Sequence, residues 1–400
     1  MTLRPRRLRA ALAGALWLAW PAAHPAADES AAIGRLLFFD PSLSASGRLS
    51  CAGCHNPKRA FAPDNALAVQ RGGADGRRAG LRAVPSLAYV LPRTPAWHQP
   101  RASSQSERLL ENDSEPAGGF GWDGRFDTLR AQAAFPLFDP AEMANANIDD
   151  FAARLRRAPY AGRLRALCGA AFEDAAALGA CALAALEQFE LQDPAFHPFS
   201  SKYDRVLDGK AAFTAQEARG KRLFDDPRRG NCASCHDDTP GADGSHPLFT
   251  DFRFAALGVP RNPEIPANAD AAYFDLGLCG PLRHDRTGDR PSCGLFKTPG
   301  LRNVATRRAF FHNGRFHTLR EALRFYSERD GRPAKWYPRA ADGTLDLFDD
   351  LPRDLRGNVD RSDEPLTRKA GDPPVFSEAE LDDLEAFLNT LTDGYQGTAP

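Results

Sequence analysis

Cys51-Ala52-Gly53-Cys54-His55 and Cys232-Ala233-Ser234-Cys235-His236 are two copies of one spacing, Cys-X-X-Cys-His. The spacing lets two thiols bond to the vinyl groups of one haem while the adjoining histidine offers a nitrogen to the iron. Cys-X-X-Cys also builds zinc sites and thioredoxin-like redox pairs. A zinc site would draw the four thiols together, whereas here a histidine follows each pair and 177 residues separate Cys54 from Cys232. The chain is therefore expected to carry two covalently bound c-type haems.

Working outward, each pentad is preceded by the same phrase. Gly34-Arg35-Leu36-Leu37-Phe38-Phe39-Asp40-Pro41 stands before the first and Gly220-Lys221-Arg222-Leu223-Phe224-Asp225-Asp226-Pro227 before the second. The phrases are offset by 186 residues and the cysteines by 181, so only the intervening loop differs in length. In the second copy Thr214-Ala215-Gln216-Glu217 forms a capping box, which satisfies the first free amides of a helix. Each half closes on another helical pattern, Cys181 to Leu191 and Ser377 to Leu391; in the latter Leu381, Leu384, Phe387, Leu388 and Leu391 recur at helical spacing. The expected fold is mainly α: two cytochrome c-like haem domains arising by internal duplication, residues 28–200 and 201–400. With 33 Gly and 32 Pro, long ordered loops and little β-structure are expected.

Arg4, Arg6, Arg7 and Arg9 precede an 11-residue apolar stretch, Ala10 to Trp20, too short to span a bilayer. Residues 1–27 read as an export signal cut between Ala23 and Ala27, so a periplasmic protein that is not integral to the membrane is expected. Loss of the leader would leave 47 basic against 52 acidic residues, a net charge of −5. That balance argues against nucleic-acid binding and suits a basic electron-carrier partner. The other cysteines are Cys168, Cys181, Cys279 and Cys293. In an oxidising compartment they can pair locally, Cys168 with Cys181 and Cys279 with Cys293, although three connectivities and free buried thiols are all compatible with the sequence.

An electron-transfer haem usually takes a sixth ligand from Met or His, whereas a catalytic haem keeps one face open. Only Met1 and Met143 are present; Met1 belongs to the leader and Met143 to a Pro-Ala-Glu-Met turn. Ordinary Met/His ligation is therefore not expected at either site.

Gly121-Trp122-Asp123-Gly124-Arg125, Gln132, Asp139-Pro140-Ala141-Glu142-Met143, Phe296-Lys297-Thr298-Pro299-Gly300-Leu301-Arg302-Asn303 and Phe310-Phe311-His312-Asn313-Gly314 resemble the bacterial dihaem cytochrome c peroxidases and their relative MauG, which oxidises tryptophans of a partner protein. Trp122, Gln132 and Glu142 stand ten and ten apart, as in that family. The resemblance implies that Glu142 shuttles a proton at the open face of the first haem, Gln132 holds a water or peroxide, and Trp122 relays electrons between the haems. It also implies that the residue fourteen after His312, Tyr326, is the distal ligand of the second haem; Thr318 and Glu321 cap that helix, and Leu319, Ala322, Leu323 and Tyr326 share one face. A tyrosine ligand favours ferric and higher-valent iron and a low potential.

Two positions depart from the family pattern. Arg71 stands where peroxidases have a histidine that caps the first haem, so that haem should be open at rest; His98 is the other candidate cap. A family calcium ligand, an asparagine before the Pro-Ser-Leu element, is Ala83 here, and Arg307 and Ala309 occupy the second calcium stretch, which leaves calcium open. His197, His246, His284 and His317 fit no ligand spacing and are expected at the surface or in structural hydrogen bonds.

The function expected is reduction of hydrogen peroxide to water at the first haem, with electrons relayed through the second from a small cytochrome or cupredoxin. The alternatives are a MauG-like oxidase that turns a high-valent dihaem state on a protein or organic substrate, and a non-enzymatic dihaem electron carrier.

Overall fold

The computed structural model describes residues 25–89, 94–99 and 116–397. Most of the expected export signal lies outside them. Helices dominate. In chain order they are α1 (Pro25–Phe39), α2 (Cys51–Cys54), α3 (Leu129–Phe138), α4 (Ile148–Arg157), α5 (Ala161–Cys168), α6 (Ala175–Gln192), α7 (Lys202–Leu207), α8 (Ala215–Asp225), α9 (Leu319–Glu328), α10 (Pro333–Trp336) and α11 (Glu378–Asn389). Strand is confined to two antiparallel two-residue pairs among the described residues: β1 (Arg71–Gly72) with β2 (Arg78–Ala79), and β3 (Phe254–Ala255) with β4 (Phe296–Lys297). The fold is mainly α with little strand, as the Gly- and Pro-rich sequence suggested. Among the described residues no helix is long and apolar enough to cross a membrane.

Sequence capping signals fix several helix starts. Thr214 and Glu217, Thr318 and Glu321, and Ser377 and Glu380 each form a reciprocal capping box. Helix α6 begins earlier than its apolar pattern indicated. The Asp174 side chain accepts from Ala177 N at 2.8 Å, so the cap lies seven residues before Cys181.

The apolar residues sort into two large cores. One is built around Ile33, Leu37, Phe38, Phe151, Leu186, Phe189 and Phe196; the other around Tyr203, Phe224, Phe249, Phe325, Leu384 and Phe387. Each core is organised by a close crossing of two helices at a glycine. A Cβ at Gly34 of α1 would lie 1.9 Å from Ala185 O and 2.8 Å from Phe189 Cβ on α6; at Gly220 of α8 it would lie 1.9 Å from Asp383 O and 2.8 Å from Phe387 Cβ on α11. Nothing larger than glycine fits at either crossing. Cys168–Cys181 and Cys279–Cys293 are the disulfides formed, with Cα separations of 6.0 and 5.0 Å.

Candidate haem and peroxide site

The thiols of Cys51, Cys54, Cys232 and Cys235 remain unpaired. They open, with His55 and His236, onto one continuous cavity of about 1040 Å³ lined mainly by apolar side chains. The two pentads stay apart, and among the described residues no group of three or more His, Cys, Asp or Glu is arranged to hold a metal ion. The zinc reading of the cysteines therefore lacks its ligand cluster.

The histidines suit axial ligation. His55 Nδ1 lies 3.0 Å from Phe61 O, and His236 Nδ1 lies 3.1 Å from both Phe249 O and Pro299 O. A carbonyl can only accept, so Nδ1 carries the proton and Nε2 keeps its lone pair for a metal. Burial pushes both imidazoles down to about 4, which keeps them neutral. The two orienting phenylalanines share an uncommon backbone, φ 54° at Phe61 and φ 59° at Phe249. Residues without glycine's freedom adopt this region at a cost, and the Phe61 ring is held there by stacking on Phe196 at 3.7 Å. Paired thiols, a neutral histidine aimed inward and a shared apolar cavity fit a haem at each pentad.

Glu142, Gln132 and Trp122 line the same cavity. Glu142 closes a turn in which its N–H donates to Asp139 O at 3.0 Å, while its own carbonyl accepts from Gly73 N at 2.7 Å. The β1–β2 hairpin thus clamps the acid from below. A Cβ on Gly72 would fall 2.2 Å from Ala141 O and 2.9 Å from Glu142 Cα. Glu142 is exposed and lines the cavity, and enough protein still surrounds its carboxyl that desolvation, reinforced by Asp139 and opposed by Arg125, pushes it up to about 7. Glu142 also raises the thiols of Cys51 and Cys54, which puts it within electrostatic reach of the first pentad. Gln132 stands one helical turn after the Thr128 cap of α3, and its side-chain amide has no hydrogen-bond partner among the described residues.

Trp122 joins the two halves of the chain. Its Nε1 donates to Ala83 O at 2.7 Å and its carbonyl accepts from Lys297 N at 2.8 Å. The neighbouring Asp123 is fully buried and bonded to Arg82 at 2.7 Å, and Arg82 in turn holds Asp275 through two bonds of 2.6 and 2.8 Å. A buried ion triad therefore fixes the backbone that carries Trp122.

Tyr326 lines the cavity with Cys232, Cys235 and His236. Its hydroxyl has no hydrogen-bond partner among the described residues. Burial and the two thiols push the phenol well above its usual range, and Arg329 works against them. His98 is exposed, with Nδ1 near Ala96 O, and is absent from the cavity wall; Arg71 is on that wall. His246 bonds Asp204 and Asp208, His317 bonds Glu264, and His284 is exposed. The carbonyls next to the expected calcium position have donors from the chain itself, Ala83 O from Trp122 and Val84 O from Arg307 Nη2 at 2.9 Å. Met143 packs in the first core.

Three groups on the cavity wall were given no role of their own by the sequence: Lys297, pushed down to about 8 by burial; Arg307, pushed down to about 10; and Glu190. Lys297 lies within the 296–303 motif and Arg307 within the second calcium stretch, whereas Glu190 carries no local signal.

A sequence model of the family described as "Di-haem cytochrome c peroxidase" matches residues 28–212. The chain is 34% identical to a methylamine utilization protein MauG of Paracoccus denitrificans, over 93% of this chain and 90% of that one. It is 28% identical to a cytochrome c551 peroxidase of Nitrosomonas europaea over 75% and 73%. Among solved structures, the diheme peroxidase BthA of Burkholderia thailandensis superposes with a TM-score of 0.80 at 40% identity, covering 93% of this chain and 88% of that chain.

Proposed function

Because the chain belongs to the di-haem cytochrome c peroxidase and MauG family of oxidoreductases, we propose that it is a periplasmic peroxidase reducing hydrogen peroxide to water at the first pentad, with electrons relayed through the second. The observation that carries this reading is the convergence of Glu142, Gln132 and Trp122 on the cavity that receives both pentads. Haem held by Cys51, Cys54 and His55 would supply the redox chemistry, in which one peroxide, two electrons and two protons become two waters.

The side chains supply the rest. Glu142, poised near neutrality, can accept a proton from hydrogen peroxide and return it to the departing oxygen. The unpaired amide of Gln132 can hold the peroxide in line. Trp122, bonded to both halves of the chain, offers an aromatic relay, and a small cytochrome or cupredoxin is the donor class that suits the mildly acidic chain. Residues 28–200 and 201–400 act as two duplicated cytochrome c-like modules, a reading supported by the matched glycine crossings of the two cores. Calcium stays open: Ala83 offers no side-chain ligand, and the Ala83 and Val84 carbonyls already accept from Trp122 and Arg307.

A MauG-like oxidase is the second reading, favoured by one observation: the unpartnered Tyr326 hydroxyl at the second pentad, the position of a distal ligand. Stopped-flow spectra after peroxide addition separate the two. Prompt return to the resting spectrum with donor turnover is expected of the peroxidase, and a long-lived oxidised spectrum that decays only with an organic or protein substrate would replace that reading. Two low-spin haems inert to peroxide would overturn both.

A further inference from the structure

Glu190 is 4% exposed on the wall of the cavity at the first pentad. Its Oε2 is fully enclosed and has no hydrogen-bond partner among the described residues. A buried carboxyl in that state costs stability, and its presence calls for a reason.

The two cores supply an internal comparison. The glycine crossings equate Phe189 with Phe387, so Leu186 corresponds to Leu384 and Glu190 to Leu388, and these last four all line the cavity. The same place on the same helix crossing is leucine at the second pentad and a carboxyl at the first. The crossing itself therefore does not require the acid.

Few charged groups surround it. Glu187, on the same helix, is held by Arg130 of α3 at 2.6 Å. The attachment turn presents Cys51, whose thiol ceases to titrate once bonded to haem; Glu142 and Cys54 act on that same thiol, and the thiol in turn acts on Tyr160, which is bonded to Asp40 at 2.6 Å. Helices α1 and α4 present Ile33, Leu37, Phe38, Phe151 and Ala152 to this core. Burial, with a smaller contribution from Glu187, pushes the Glu190 carboxyl up to about 8.

We propose that Glu190 is a redox-linked proton site of the first haem, binding one proton from water at its carboxylate when the haem gains an electron and releasing it when the electron leaves. The O–H bond formed on the carboxyl is matched by one broken in a solvent hydronium ion, and the electron comes from the haem's donor. The inference rests on the reading that haem occupies Cys51, Cys54 and His55.

The test is a spectroelectrochemical titration of the holoprotein between pH 6 and 9, for wild type, Glu190→Gln, Glu190→Leu and Glu142→Gln. In wild type the first-haem potential should fall toward about 59 mV for each tenfold drop in proton activity, the one-electron limit. The slope should flatten in both Glu190 variants and persist in Glu142→Gln. A flat wild type, a slope that survives in both Glu190 variants, or one lost only in Glu142→Gln overturns the proposal. Failure of covalent haem attachment at Cys51 and Cys54, read from the mass of the wild-type chain, would overturn the functional reading instead. Thermal melts give an independent measure. The carboxyl is most compatible with folding below the ordinary glutamate range and loses that advantage as pH rises toward about 8, so Glu190→Leu should raise Tm more at pH 9 than at pH 5. Equal lowering of Tm at both pH values would mark Glu190 as purely structural.

Discussion

In the proposed reaction Glu142 must be ionised to accept the peroxide proton, and desolvation pushes its carboxyl up to about 7. Peroxide turnover should therefore decline as pH drops through that value, and Glu142→Gln should lose both the acid limb and about 10²- to 10⁴-fold in rate, read from a pH–rate profile. At the other pentad, Tyr326→Phe should abolish a low-spin ferric signal in the resting spectrum, and Tyr326→Met should raise the second-haem potential, because thioether ligation raises it where phenolate lowers it. An unaltered low-spin signal in Tyr326→Phe would remove the residue from the ligand set. What the sequence disclosed at this scale were residues in fixed local spacings, the pentads above all. The burial of Glu190 and the Val84 contact of Arg307 were not legible, because they come from what folds around these residues: Glu190 acts on Cys51 across 139 positions and Arg307 reaches Val84 across 223.

Helix caps were legible for the same reason, since Thr214–Glu217 and Ser377–Glu380 close over four residues. The hairpin β1–β2 was not, because two-residue strands leave no alternating pattern to read. It nevertheless supports the turn that carries Glu142. Gly72→Ala would drive a methyl into Ala141 O, so the turn carrying Glu142 must shift. The expected result is a turnover loss with covalent haem content unchanged, accompanied by about 1–3 kcal/mol of destabilisation in denaturant melts. The disulfide Cys168–Cys181 ties α5 to α6, and a double Cys→Ser variant should lose about 3 kcal/mol by the loop-entropy estimate for a bridge of this span. The same melts with and without reductant would read it.

Across the whole molecule, contacts between distant segments join parts of the cavity wall. Arg82 links residues 123 and 275, and Arg307 reaches Val84 from 223 residues away. The Arg307 guanidinium donates to the Val84 carbonyl, next to Ala83, which lacks the side-chain ligand that a calcium site of the family would use. Chelator treatment should accordingly leave Tm and turnover unchanged, whereas Arg307→Met should cost about 1–3 kcal/mol by stranding the Val84 carbonyl. A chelator-induced drop in Tm restored by calcium would reverse that assignment.

The hydrogen bond from Trp122 Nε1 to Ala83 O has a consequence for the kind of charge that can cross between the two halves. An amide carbonyl is too weak a base to remove a proton, so an indole that gave up an electron here would keep its N–H and remain a cation. Passage through Trp122 would then be a bare electron movement with no hydrogen isotope dependence at this step, and any proton would move at other groups of the cavity wall.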